Sequence, residues 1–421
     1  MDIYKINGGK KISGDIPISG AKNAALPIIV GSLLADGTTI LTNVPDLMDI
    51  RTTIKLIEHL GAKTSFDNET NTLTIDAKEI INGEVPYDLV KTMRASIYVM
   101  GPLLARCREA DVSLPGGCAI GARPVDIHLQ GFEKLGTDIN LDHGYVKART
   151  KGLKGALYVM PKVSVGATIN LIMGAVLAEG ETVLENCAME PDVVDLGNFL
   201  IKMGADIQGL GTERIAVKGV ASLKAVEYHI MPDRIEAGSY LLAGAAVRGN
   251  IRVTDIVPDH IEALLDSLKE MGFQIKTGPD WASVAPSDNL RGILVETTPH
   301  PGFPTDLQAP MMALMTTVPG ISVMVEHIFE NRFTHVAELH RMGAQITIEG
   351  KCAIIKGGTS LMSAPVMMSD LRAGAALVIA ALAAEGETEI RRIYHCDRGY
   401  EKLCHKLSAV NADIRRVTGG M

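Results

Sequence analysis

The sequence predicts an α/β fold assembled from repeats of one helix–strand unit. A pattern of apolar helix, strand, amphipathic helix and second strand recurs six times along 421 residues. The positions that close the amphipathic helices, Gly61, Gly136, Gly204, Gly272, Gly343 and Asn411, stand 75, 68, 68, 71 and 68 residues apart. Aromatic residues are only 4% against 42 Gly, so the core must be made of small and aliphatic side chains. A unit of about 70 residues buries too little surface to fold alone, which makes two groups of three the natural arrangement.

The copies can be followed in order. GAKNAALPIIVGSLLADGTTILTNV with IRTTIKLIEHLGAKTSF is the first. RASIYVMGPLLARCREADVSLPGG with LQGFEKLGTDIN, the most divergent, is the second. VGATINLIMGAVLAEGETVLENC with VVDLGNFLIKMGADIQ follows, then RIEAGSYLLAGAAVRGNIRVTDI with LLDSLKEMGFQIK. DLQAPMMALM with HVAELHRMGAQITI and DLRAGAALVIAALAAEGETEIRRI with LCHKLSAVNADIRRV complete the series. The first helix of each copy is apolar nearly all round and should lie buried, whereas the second has a polar face. Strands such as Thr72-Leu73-Thr74-Ile75 and Gln345-Ile346-Thr347-Ile348 alternate, which leaves one sheet face wet.

Hydrophobic residues are 47% and charged residues 21%, too apolar for a disordered chain. The net charge of −8 and the single Trp, Trp281, argue against a nucleic-acid surface. The first twenty residues carry no apolar signal core. The longest apolar runs, Ala24–Ala35 and Ala373–Ala384, fall short of the ~20 residues that span a bilayer. Six Cys (107, 118, 187, 352, 396 and 404) form no CxxC and no regular framework. A cytoplasmic protein with free thiols is expected.

The buried helices should begin near Lys22, Arg94, Lys162, Arg234, Asp306 and Arg372. Five of these six carry a cation, the wrong sign for a helix N-terminus. One such residue would be merely solvated; five at equivalent places suit a cleft for a multiply anionic ligand. Asp306 would be a lone carboxylate among cations, placed to act as a base or to hold a substrate hydroxyl.

Leu114-Pro115-Gly116-Gly117-Cys118-Ala119-Ile120-Gly121-Ala122-Arg123-Pro124 is a loop by composition. A thiol near a guanidinium is activated, as nucleophile or, when protonated, as general acid. His395-Cys396 and Cys404-His405 match no zinc spacing, so no metal is expected. Walker, zincin and nucleophile-elbow signatures are missing, as is support for a flavin or nicotinamide site.

These residues resemble the enolpyruvyl transferase family, and within it the members that act on UDP-N-acetylglucosamine. The likeness covers essentially the whole chain. It rests on SGAKNAALP (19–27), PYDLVKTMRAS (86–96), LPGGCAIGARPVDIH (114–128), KVSVGAT (162–168), EPDVVD (190–195), PDRIEAG (232–238), HPGFPTD (300–306), FENRF (329–333), SDLRAGAAL (369–377) and DRGYE (397–401). The resemblance implies a two-domain inside-out α/β barrel of six βαβαββ repeats. One domain would take residues 21–230, the other 1–20 plus 231–421, with the active site in the cleft between them.

It also implies transfer of the enolpyruvyl group of phosphoenolpyruvate to the 3′-hydroxyl of UDP-N-acetylglucosamine, releasing phosphate. This reaction opens peptidoglycan precursor synthesis and needs no cofactor. Cys118 would be the general acid, able to carry a covalent phosphoenolpyruvate adduct and open to the epoxide fosfomycin. Asp306 would accept or position the hydroxyl proton. Lys22, Arg123 and Arg398 would hold phosphoenolpyruvate, with Arg332 and Arg372 nearby. Asn23, Arg94, Arg123, Pro124, Val125, Asp126, Ile127, Lys162, Val163, Ser164, Val165 and Ile328 would hold the UDP-sugar. Glu190, Asp370 and Asp397 would join the surrounding network. The alternatives are transfer to shikimate 3-phosphate on the same fold, and a non-catalytic binding protein. The first lacks the Cys loop, and the second should have lost the acid, the carboxylate or the cations.

Overall fold

The structure, a computed structural model, describes residues 2–81, 84–90, 93–114 and 125–418. Contacts divide these into two compact units. The inserted unit runs from Gly20 to Met231, and the flanking unit joins the residues up to Ser19 with those from Pro232 onward.

Six four-stranded sheets, three in each unit, share one pairing pattern. In each, an edge strand pairs in parallel with its neighbour and the two remaining pairings are antiparallel. In the inserted unit the strand orders are Glu227–His229, Thr38–Thr42, Thr72–Asp76, Lys63–Asp67; then Glu84–Val85, Glu109–Ser113, Tyr145–Thr150, Thr137–Asp142; then Leu157–Val159, Glu181–Glu185, Arg214–Lys218, Asp206–Gln208. In the flanking unit they are Ser13–Pro17, Asn250–Thr254, Trp281–Ala285, Gln274–Thr277; then Leu294–Thr297, Gly320–Glu326, Cys352–Gly357, Gln345–Glu349; then Val366–Met367, Glu387–Arg391, Asp2–Asn7, Asp413–Thr418. All six sheets are open, and none closes on itself as a barrel.

Each unit has its own core. In the flanking unit the helices Arg234–Ala246, Gln308–Thr317 and Leu371–Ala383 pack on one another. All three are buried almost throughout, as expected of helices apolar on every side. In the inserted unit Met100–Cys107 packs on Val165–Ala175, and Lys22–Gly31 packs on Met48–His59 and Pro191–Lys202. Small residues permit the close approach. A Cβ on Gly101 would stand 2.7 Å from the carbonyl oxygen of Asn170. The same Asn170 accepts from the Gly101 N–H at 2.8 Å, so helix backbones meet through a buried amide.

The amphipathic helices end where the sequence placed their ends. Gly61, Gly136, Gly204, Gly272, Gly343 and Asn411 all have positive φ, between 70° and 109°. Five are Gly because a Cβ is costly in that left-handed turn, and Asn is the side chain that tolerates it best. The expected alternation holds in Thr72–Asp76, where Leu73 and Ile75 are fully buried. In Gln345–Glu349 it fails at Ile348, which is 44% exposed next to the end of an edge strand.

Two helix starts differ from the sequence reading. At Arg94 the chain first makes a 3₁₀ turn, Arg94–Val99, before the α-helix. At Asp306 a 3₁₀ turn, Thr305–Leu307, likewise precedes Gln308–Thr317.

The chain passes between the units at Ser19–Gly20 and again at Met231–Pro232. Both passages are tied by buried carboxylates. Ser19 N–H donates to Glu236 Oε2 at 2.8 Å, and Met231 N–H donates to Asp195 Oδ2 at 3.3 Å. Lys406 Nζ donates to Glu236 Oε1 at 2.8 Å and to Ser19 Oγ at 2.7 Å, and Ser19 Oγ donates to Glu401 Oε2 at 2.6 Å. Burial pushes the Glu236 carboxyl up to about 7, although Lys406 opposes the shift.

Candidate functional site

In the inserted unit Lys22 opens the helix Lys22–Gly31, directly followed by Asn23. No acid lies in that first turn, and the compensating charge comes from elsewhere. Asp49, in the first turn of Met48–His59, forms an ion pair with Lys22 Nζ at 3.0 Å. Both side chains are largely buried, at 12% and 7% exposure, so the pair is shielded from solvent. Sequence reasoning missed Asp49, whose only signal is an acid on the otherwise apolar face of an amphipathic helix.

The same unit places Val125 before the helix Asp126–Lys134, whose first residues are Asp126 and Ile127. Asp126 is exposed, whereas the Ile127 side chain belongs to the core and its carbonyl accepts from Tyr158 Oη at 3.1 Å. Lys162 and Val163 lie just before Ser164, which caps the helix Val165–Ala175 by accepting from the Ala167 N–H. That first turn also lacks an acid, leaving a helix N-terminus suited to an anion. Cys118, Arg123 and Pro124 lie outside the described residues, and Arg94 opens the 3₁₀ turn already named.

In the flanking unit Asp306 is not a lone carboxylate. Arg332 Nη2 donates to its Oδ1 and Arg372 Nη2 to its Oδ2, each at 2.8 Å. The two guanidiniums are buried, at 4% and 6% side-chain exposure, while Asp306 retains 27%. Burial by itself would raise the Asp306 pKa, but Arg372 and then Arg332 overcome it and hold the carboxyl far below the usual range. In this arrangement Asp306 is a strong hydrogen-bond acceptor and a weak base. Tyr400 lies under Arg372, ring centroid to guanidinium carbon 5.6 Å, and its hydroxyl meets Ser239 Oγ at 2.8 Å.

The remaining candidates divide. Asp370 caps Leu371–Ala383 through the N–H groups of Arg372 and Ala373, which fixes the start of the helix that carries Arg372. Asp397 instead forms a two-pronged pair with Arg416, at 2.8 and 3.0 Å. Arg398 ends the 3₁₀ turn Ile393–Arg398 and is half-buried. Glu190 precedes the helix Pro191–Lys202 as its N-cap residue. Ile328 N–H donates to Glu326 Oε1 at 2.7 Å, and Glu326 was also missed by the sequence reading.

Among the described residues no group of three or more His, Cys, Asp or Glu could hold a metal ion. Nor is any described helix long and apolar enough to cross a membrane. Cys187 and Cys396 are buried, and burial pushes both thiols up; those of Cys107 and Cys404 are also raised by burial.

Comparison with known proteins agrees with this architecture. The profile of the family described as EPSP synthase (3-phosphoshikimate 1-carboxyvinyltransferase) matches residues 6–407. The chain is 52% identical over 417 residues to the UDP-N-acetylglucosamine 1-carboxyvinyltransferase of Myxococcus xanthus, covering 99% of each. It is 51% identical to the protein of that name from Geotalea uraniireducens, covering 99% of this chain and all of the other. Among solved structures it is similar to the enolpyruvyl transferase NikO of Streptomyces tendae, with TM-score 0.89 and 25% identity over 100% of this chain and 99% of that one. An EPSP synthase of Acinetobacter baumannii shares the fold, with TM-score 0.78 and 17% identity over 99% of this chain and 100% of that one. The chain belongs to the enolpyruvyl transferases, in the group of the UDP-N-acetylglucosamine 1-carboxyvinyltransferases.

Proposed function

We propose that this protein transfers the enolpyruvyl group of phosphoenolpyruvate to the 3′-hydroxyl of UDP-N-acetylglucosamine and releases phosphate, the first committed step toward peptidoglycan. The observation that carries the reading is half-identity along nearly the full length of two relatives that bear this enzyme's name. The family profile is named for transfer to shikimate 3-phosphate, but the EPSP synthase of Acinetobacter baumannii is only 17% identical. The chain also retains the LPGGC loop.

The chemistry is addition followed by elimination. C3 of phosphoenolpyruvate takes a proton, the sugar oxygen bonds to C2 as its hydroxyl proton passes to the phosphate, and C2 then loses hydrogen phosphate while C3 returns its proton. Cys118 supplies the proton to C3 and can form an adduct at C2. Asp306 accepts a hydrogen bond from the attacking hydroxyl, and its clamp by two guanidiniums favours orienting that group over removing its proton. Lys22, Arg123, Arg332, Arg372 and Arg398 offer positive charge to the phosphate and carboxylate of phosphoenolpyruvate. Asn23, Arg94, the 123–127 stretch, Lys162–Val165 and Ile328 hold the UDP-sugar, with backbone N–H groups at Val165–Ala175 for its diphosphate. The domains are residues 21–230 and 1–20 plus 231–421, each made of three βαβαββ copies in an inside-out α/β barrel. Buried helices and open sheets of one pattern support that assignment.

The test is phosphate release from phosphoenolpyruvate with each acceptor in turn. Release with UDP-N-acetylglucosamine and not with shikimate 3-phosphate is expected; release only with the latter overturns the reading.

A further inference from the structure

Glu326 ends the strand Gly320–Glu326 and is 2% exposed. A buried carboxylate is expensive unless its oxygens are well served. Here four neutral donors serve them. Oε1 accepts from Thr297 Oγ1 at 2.9 Å, from Ile328 N–H at 2.7 Å and from Phe329 N–H at 3.1 Å. Oε2 accepts from Thr305 Oγ1 at 2.9 Å. The carboxylate therefore joins three segments that the sequence separates: the end of Leu294–Thr297, the start of the FENRF segment, and the turn that carries Asp306.

Two of those links lead to the same place. Thr305 adjoins Asp306 in the chain. The Phe329 ring lies against the Arg332 guanidinium, 5.3 Å from centroid to carbon, and Arg332 Nη2 donates to Asp306 Oδ1. The contacts close a ring: Glu326, Thr305, Asp306, Arg332, Phe329 and back to Glu326. An apolar residue at 326 could fill the space but could not fix both arms of that ring.

We propose that Glu326 is a positioning residue for the reaction, setting the place of Asp306 from one side through Thr305 and from the other through Phe329 and Arg332. This rests on the reaction proposed above. Asp306 must be aimed at the attacking oxygen, and small errors of aim are costly in rate. Glu326 reaches no substrate itself in this account; it acts through the turn.

Thr305→Val removes the hydroxyl and keeps the shape, Thr305→Ser restores it, and Glu326→Gln removes the charge while keeping the Oε1 acceptor. Each would be assayed by phosphate release with phosphoenolpyruvate and UDP-N-acetylglucosamine, after circular dichroism has shown the protein folded. Thr305→Val should lower kcat by about tenfold or more with a smaller change in the KM for the UDP-sugar, and Thr305→Ser should recover most of it. The double variant Thr305→Val/Glu326→Gln should lose less than the product of the single losses, because both act through one contact. Folded Thr305→Val with wild-type kcat and KM overturns the proposal even if Glu326→Gln does not fold, and independent losses in a folded double variant overturn it as well. A wild-type protein that releases no phosphate would instead overturn the reaction itself.

Discussion

Arg372 and Asp306 meet through a 2.8 Å hydrogen bond at the start of a buried helix, and Arg332 takes the other carboxylate oxygen at the same distance. Removing the carboxylate leaves two buried cations facing each other. Asp306→Ala should therefore cost about 3–5 kcal/mol of stability as well as most of the rate. Urea unfolding, with kinetics on the folded fraction, separates the two losses. A variant with unchanged stability would show that the clamp carries no structural load.

The same clamp fixes a pH dependence. Asp306 has its folded pKa held below the ordinary aspartate value of 3.8, so its contribution is complete above that value and is lost only as pH falls toward the lower folded pKa. The acid limb of a rate profile measured between pH 5 and 7 should belong to another group and should persist in Asp306→Asn. Loss of that limb in the variant would contradict the assignment of Asp306 as a permanently charged acceptor.

Lys22 and Asp49 should behave as one unit. Asp49→Asn should weaken phosphoenolpyruvate binding or turnover by about tenfold, since the ammonium loses the partner that holds it in place. Adding Lys22→Met to Asp49→Asn should cost little beyond Lys22→Met alone. Fully multiplicative losses in kcat/KM would show that the ion pair has no bearing on Lys22.

Fosfomycin should label Cys118 ahead of Cys107, Cys187, Cys396 and Cys404. Burial raises the pKa of Cys107, Cys187, Cys396 and Cys404, which lowers the thiolate available for attack. Mass spectrometry of the digested protein reads the outcome directly. Cys118→Ser should abolish both labelling and turnover, and an adduct on Cys404 in the wild type would refute the prediction.

Glu236 makes a separate prediction about stability. Its folded pKa is raised to about 7 from 4.5, so the folded protein holds a proton that the unfolded chain has already released. Its contribution is most favourable below pH 4.5 and is lost as pH rises through about 7. Lys406, Asp233, Ser19 and Tyr240 face it, Glu401 reaches it only through Ser19, and Lys406 moderates the effect. Between those pH values the unfolding free energy of Glu236→Gln should fall less than that of the wild type. Parallel curves would remove Glu236 from the linkage.

Local chemistry was the most legible part of this chain. Gly61 through Gly343 and Asn411 could be read as helix ends because a left-handed residue leaves few choices of side chain. Buried helices showed as runs without a polar face. The 3₁₀ turns at Arg94 and Asp306 were invisible, since no residue type marks the switch from one helical hydrogen-bond pattern to another. Asp306 was read as a carboxylate among cations, which is correct in composition. Arg332 and Arg372 are legible as cations for the substrate but not as partners of Asp306, because a sequence does not say which oxygen each guanidinium takes. Asp49, Glu326 and Glu236 escaped for a related reason: each is an ordinary acid in its own segment and acquires meaning only from a partner brought in by tertiary packing. Ile348 shows the converse, an apolar residue in good alternation that the end of an edge strand leaves in solvent.

The strand Asp2–Asn7 sits between Glu387–Arg391 and Asp413–Thr418, with Asp2 opposite Thr418. During synthesis Asp2–Asn7 must wait for Glu387–Arg391 and Asp413–Thr418, made far later, before its sheet can form. The inserted unit has no such debt and can fold while the ribosome is still at work on the flanking one. Until Glu387–Arg391 has been made, Tyr4 and Ile6 have no sheet to join, although both are buried in the folded protein. The early segment is thus an unpaired strand for as long as the residues between it and Glu387 are being made, and a chaperone that shields extended apolar segments would find its opportunity there.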